Sequence, residues 1–181
     1  MIGKTMQIGT VRLMRKLCAS TCAAVLLGGF ASQTAAQDTP AEAAPSTAQD
    51  AAWHNQQQIA LAQRTYKDGW RWMEGGLLWR RIKGNGSGAR PTVADTVTLH
   101  YAGTFVDGTG FDSSYGRGEP ATFPLGRLIK AWQLAVPQMA VGDTIEIAAP
   151  ASIAYGPVGK GPIPGGATLL FTIELLGIEG R

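Results

Sequence analysis

The sequence predicts an α+β fold in which an antiparallel sheet wraps its apolar face around one short helix. Three observations carry this. Apolar residues recur at every second position in separate stretches beyond residue 76. One stretch between them has helical spacing and stops at a proline. The chain also holds 24 glycines and 10 prolines, enough for the tight turns that consecutive antiparallel strands require.

The first strand is expected over Leu77 to Lys83, closed by the glycine-rich run Gly84 to Gly88. Val97, Leu99, Tyr101 and Phe105 then alternate with Thr98, His100 and Thr104, the period of a half-buried strand. Asp107-Gly108 marks a tight turn back towards Phe111. The helix runs from Leu128 to Val136, with Ile129, Trp132 and Val136 on one face, and ends at Pro137. Ile145 and Ile147 alternate with Thr144 and Glu146. Leu169, Phe171, Ile173 and Leu175 alternate with Leu170, Thr172 and Glu174. The loop Pro150 to Gly166 is long, apolar and rich in Pro and Gly, a composition more suited to function than to linking.

Upstream of residue 76 the organisation is different. Arg15 and Lys16, the apolar run Leu17 to Phe30 and the small residues Ala31 to Ala36 read as a secretory signal peptide over residues 1–36. Met14 offers an alternative start to Met1. The apolar run is shorter than the ~20 residues that span a bilayer, so no stable membrane span is expected in the mature chain. Both cysteines, Cys18 and Cys22, fall in this segment, which removes disulfides and cysteine catalysis from the mature protein. Residues 37–52 lack bulky apolar side chains and read as a flexible low-complexity tether. Residues 53–75 form a helical extension, its helix running to about Lys67 with Ile59, Ala62, Gln63 and Tyr66 at helical spacing. A helix this short needs a partner surface. Its own domain and a second copy, pairing as a homodimer through residues 53–67, are equally acceptable on sequence grounds.

Charge narrows the function. Four of the 16 Lys and Arg residues and none of the 13 Asp and Glu lie in residues 1–36. Without that segment the balance is twelve to thirteen, so the pI near 9.0 belongs to the leader and no nucleic-acid partner is implied. Catalytic motifs are equally restrictive. The sequence contains no HExxH, GxSxG or GxxxxGK[ST] motif, and no GxGxxG that opens a helix. Of the two histidines, His100 falls on the strand face opposite Leu99 and Tyr101, where a solvated residue is expected. No His, Cys or carboxylate cluster has metal-ligand spacing, so neither a metal nor another cofactor is expected. What remains is an unusual density of aromatic and small residues between positions 101 and 171.

Those residues carry a family resemblance. Residues 97–114, from Val97 through Tyr101, Gly103, Asp107-Gly108 and Phe111-Asp-Ser-Ser114, resemble the VxYxGxxxDGxxFDSS signature of FKBP-type peptidyl-prolyl cis-trans isomerases. Phe123-Pro-Leu-Gly126, Leu128-Ile-Lys-Ala-Trp132 and Gln138-Met-Ala-Val-Gly-Asp143 are similar to further blocks of that family. So are Ala154-Tyr-Gly156 and Ile163-Pro-Gly-Gly-Ala-Thr-Leu-Leu-Phe171, and all occur in the family's order. The resemblance covers residues 76–181. Lys67-Asp-Gly-Trp70 and Gly76-Leu77 also resemble exported members of the macrophage infectivity potentiator type, whose helical extension often dimerises.

The resemblance implies a sheet of about five strands curled around the helix, and an apolar pocket floored by Trp132. Tyr101, Phe111, Phe123, Leu128, Phe171 and Ile163 would line the pocket and bind substrate. Asp112 at its edge, the Tyr155 hydroxyl and the Ile129 backbone N–H would supply the catalytic polar groups. Taken singly, Tyr101, Phe171 and Trp132 read as packing, and Asp112 as a turn residue bonded locally. The implied substrates are X-Pro bonds of exported, periplasmic polypeptides, with a macrolide as another ligand of the same pocket. A binding module that keeps the fold with little catalysis is the alternative. Ala121 stands where many members place an aromatic residue and would open a wall. Ala131 replaces a usual glycine and would raise the pocket floor.

Overall fold

The computed structural model describes residues 49–180, so the expected signal peptide and most of the expected tether lie outside the described residues. Helix α1 (Ala51–Ala62) starts where the Asp50 side chain accepts the Trp53 N–H at 2.8 Å. Strands β1 (Arg71–Trp72) and β2 (Leu78–Lys83) follow, then β3 (Thr96–Thr104), β4 (Gly110–Ser113), the single-turn helix α2 (Ser114–Arg117) and β5 (Ala121–Pro124). Helix α3 (Lys130–Ala135) precedes β6 (Thr144–Ala149), the short pair β7 (Gly159–Lys160) and β8 (Ile163–Pro164), and β9 (Leu169–Ile178).

The main sheet is antiparallel in the order β1-β2-β6-β9-β3-β4, with β5 also on β3. Ala102 to Thr104 pair with β4, while Thr96 to Leu99 pair with β5. The two short strands therefore share one edge, interrupted by α2. Counted as rows, the sheet has the five expected strands plus the two-residue β1, which the sequence pattern did not indicate. Alternation holds in the centre. Val97, Leu99 and Tyr101 of β3 and Phe171, Ile173 and Leu175 of β9 are buried against Trp132, Ala135 and Val136 of the helical segment. The helix is shorter than expected at both ends, because Ile129 is its extended N-cap and Val136–Gln138 tightens into a 3₁₀ turn.

The extension departs most from expectation. The helix ends at Ala62, and Tyr66–Asp68 forms a separate 3₁₀ turn. Ile59 and Tyr66, two of the residues at helical spacing, are 51 % and 74 % exposed, whereas Gln57 and Ala60 are buried. The reason is polar. Gln57 Oε1 accepts the Thr168 N–H at 2.9 Å, and the Gln57 carbonyl accepts the Thr168 hydroxyl at 3.4 Å, satisfying backbone just before β9. Gln49 donates to the Gly165 carbonyl at 2.7 Å, so residues 49–52 belong to the folded unit and not to the tether. The helix thus packs on its own domain through Gln57 and Ala60, with Ile59 left exposed. Below it, Trp70 covers a second apolar row formed by Leu78, Ala148 and Leu170.

Candidate active site

Two chain-distant strands and one helix converge on a cavity of about 270 Å³. Strand alternation turns Tyr101 of β3 and Phe171 of β9 towards α3, whose Trp132 is only 4 % exposed. The rings meet edge to face: Tyr101 to Trp132 at 5.3 Å and 78°, Trp132 to Phe171 at 5.4 Å and 88°, and Phe111 to Phe171 at 5.6 Å and 89°. Phe123 on β5 lies 6.2 Å from Tyr101. Leu128 and Ile129 close one side, Tyr155 another, and Asp112 lies at the edge. The Trp132 Nε1–H is buried and has no hydrogen-bond partner among the described residues.

The polar groups divide into engaged and available. Asp112 accepts the Tyr101 hydroxyl at 2.5 Å and Arg117 Nη1 at 2.5 Å, and Arg117 Nη2 donates to the Tyr101 oxygen at 2.9 Å. Burial pulls the Asp112 carboxyl upward, but those hydrogen bonds and the guanidinium charge outweigh it and hold the group below its ordinary value. Burial, then the bond to Asp112, pushes the Tyr101 hydroxyl up. Burial and the Asp112 charge do the same to Tyr155, whose hydroxyl has no hydrogen-bond partner among the described residues. Gln133 Nε2 donates to the Leu128 carbonyl at 2.8 Å and to Gly126 at 3.1 Å, fixing the segment that leads into Ile129. The Ile129 N–H donates to no acceptor among the described residues.

Nine of the ten expected site residues come together around this cavity. Ile163 does not. It packs into the core from β8 and lines a neighbouring depression of about 300 Å³ beside Phe111, Asp112 and Tyr155. Ala131 is wholly buried in the core beside Trp132, and Ala121 packs half-buried opposite Leu99; neither lines the cavity. His100 is stacked on Tyr115 at 4.5 Å and contacts the Ser114 hydroxyl at 3.0 Å, so it is less solvated than its strand position suggested.

Sequence reasoning assigned no site role to four contributors, although Ser114 stood within the family motif. Arg117 clamps Asp112, while Arg127 and Lys160 line the cavity. Ser114 Oγ, wholly buried, accepts the Tyr101 N–H at 2.7 Å and holds that residue's backbone in place. None has a periodic signal, because each acts across the break in the edge strand or from a loop. Gly103 was visible as a motif position, and the structure supplies its reason. A Cβ there would stand 2.5 Å from Phe111 Cζ and 3.0 Å from Phe171 Cε1. Gly103→Ala is therefore expected to displace both rings, costing about 1–3 kcal/mol in urea unfolding and lowering turnover of any ligand the cavity processes.

Comparison with known proteins agrees with this geometry. The family model for FKBP-type peptidyl-prolyl cis-trans isomerase matches residues 88–176. FK506-binding protein 2 of Aspergillus fumigatus is 50 % identical over 94 residues, covering 50 % of this chain and 70 % of that protein. The FKBP-type isomerase FkpA of Aeromonas hydrophila is 46 % identical over 119 residues, 66 % of this chain. This chain spans only 44 % of that relative's length. The crystal structure of FkpA from Escherichia coli superposes with a TM-score of 0.62 at 32 % identity, covering 69 % of this chain and 60 % of that one.

Proposed function

The chain belongs to the FKBP-type peptidyl-prolyl cis-trans isomerase family, and from that premise we propose that it catalyses cis/trans isomerisation of X-Pro bonds in exported polypeptides. The observation that carries the reading is the edge-to-face aromatic cavity with its few polar groups at the rim. Rotation about a prolyl amide crosses a barrier of ~18–20 kcal/mol set by resonance across the C–N bond. No bond breaks, so no nucleophile is required. The twisted transition state is less dipolar than the planar amide, and a dry aromatic wall disfavours it less than it disfavours the ground state. In this reading the proline ring seats on Trp132. The Ile129 N–H and the Tyr155 hydroxyl, both without acceptors among the described residues, donate to substrate carbonyls. Asp112, already bonded to Tyr101 and Arg117, acts through its field and not as a general base.

The leader pattern of residues 1–36 supports a periplasmic destination in a bacterium. A macrolide that fills the cavity would compete with peptide. Pairing of two copies would have to use the helix face carrying Ile59, since Gln57 and Ala60 are committed to their own domain. The test is isomerase kinetics on a short X-Pro peptide, wild type against Tyr155→Phe. Turnover in the wild type and about a three- to tenfold loss in the variant is the expected result, one hydrogen bond being worth roughly 0.5–1.5 kcal/mol. Suppression of unfolded-protein aggregation with no turnover would instead establish a binding module.

A further inference from the structure

Resting on that isomerase reading, we propose that the site selects X-Pro segments with an acidic residue beside the proline, through Arg127 and Lys160 at the cavity mouth. The two side chains enter the site from unrelated elements. Arg127 lies in the 3₁₀ turn Leu125–Arg127 just before Leu128 and Ile129, and Lys160 ends the short strand β7. Both line the cavity and both are exposed. Lys160 also lines the neighbouring depression with Ile163, so it stands where an extended peptide leaving the proline pocket would pass.

Charge bookkeeping at the mouth favours an anion. Asp112 is the one carboxylate lining the cavity, and its charge is already offset by Arg117. Among the described residues, neither Arg127 nor Lys160 takes part in an ion pair or a side-chain hydrogen bond. Two cations that no internal acid neutralises therefore face whatever flanks the bound proline. A glutamate at that place gains two attractive interactions, and a lysine suffers two repulsive ones. Exposed pairs of this kind are weak and salt-sensitive, so the expected discrimination is modest, about two- to tenfold in kcat/KM at low ionic strength.

The experiment uses the full chain and three tetrapeptides that carry Glu, Leu or Lys immediately before the proline. A second set places the same residues immediately after it. Exchange NMR reads isomerisation without a protease. Turnover is expected to be higher for Glu than for Lys in at least one set, with the Leu peptide reporting the uncharged baseline of the apolar cavity. The Glu/Lys ratio should fall towards one as salt is raised from about 0.01 M to about 1 M, where the screening length drops from ~30 to ~3 Å. Arg127→Gln and Lys160→Gln should each lower the ratio, and the double variant should abolish it. Because the ratio is internal to each variant, a general change in activity does not affect it. Lys67→Gln, which removes an exposed charge from the 3₁₀ turn Tyr66–Asp68, should leave the ratio as it is. Good turnover of the Leu peptide with a ratio near one in both sets would overturn the charge selection and leave the isomerase reading standing. Absence of turnover on every peptide would overturn both.

Discussion

Asp112→Ala is expected to lower kcat/KM on an X-Pro peptide by about 10- to 100-fold while leaving the fold nearly as stable as before. The magnitude follows from the loss of charge-assisted hydrogen bonds, worth roughly 1.5–3 kcal/mol where they act in a site. The carboxylate accepts from both Tyr101 and Arg117 at 2.5 Å. Removing it frees the Tyr101 ring to shift against Trp132 and leaves the Arg117 cation at the rim unopposed. The side chain is 44 % exposed, so the unfolding free energy should change by less than about 1 kcal/mol. Asp112→Asn keeps the shape and discards the charge, and an activity equal to wild type in that variant would remove the field from the mechanism. The pH profile gives a separate check. Hydrogen bonding from Tyr101 and Arg117 overcomes burial and holds this carboxyl below its ordinary value, so the ionised form persists into acid. Turnover should therefore stay level from neutral pH down to about 5 and fall only below the usual carboxylate range.

The largest loss of stability is expected far from the cavity, at Asp143. This residue is 2 % exposed, and its carboxylate accepts the Ala140 N–H at 2.8 Å, the Gly86 N–H at 3.1 Å and Arg81 Nε at 3.1 Å. It ties the glycine-rich loop after β2 to the start of β6. Asp143→Ala strands two backbone donors and a guanidinium, and about 3–5 kcal/mol should disappear from the urea-unfolding free energy. Burial alone would raise this carboxyl; the Ala140 and Gly86 N–H groups and then Arg81 outweigh it and hold it low. With a folded value below the unfolded one, the contribution is complete above the ordinary carboxylate pKa of ~3.9 and is lost as pH falls through the folded value. Wild type should thus lose stability below about pH 4 more steeply than Asp143→Asn. A loss under 1 kcal/mol in Asp143→Ala at pH 7 would contradict the assignment.

Both residues sit inside recognisable motifs, yet the sequence showed only that they were special. Asp112 read as a turn residue or an edge group until Arg117 was found across the single turn of α2. That pairing has no period to reveal it. The extension shows the same limit from the other side. Helical spacing picked out Ile59 and Tyr66 but did not say which face meets the domain; the need of the Thr168 backbone N–H for an acceptor drew Gln57 inward. Ile163 lines a depression that adjoins the cavity through Phe111, Asp112 and Tyr155, and Ala131 is wholly buried in the core.

The sequence by itself determined the class of fold, the central strands and the position of the helix, while the cavity residues were legible only through the family resemblance. Alternation and helical spacing record which side of a local element avoids water, and that preference is written residue by residue along the chain. The tertiary structure alone decided how the edge strand breaks into β4 and β5, which helix face meets the domain, and which charges surround the cavity. Those outcomes depend on pairing between distant groups, as with Gln57 and Thr168, 111 residues apart, where a single polar contact outweighs the local pattern. The cations at the mouth belong to this second kind: Arg127 and Lys160 are ordinary loop residues until the fold brings them to one opening.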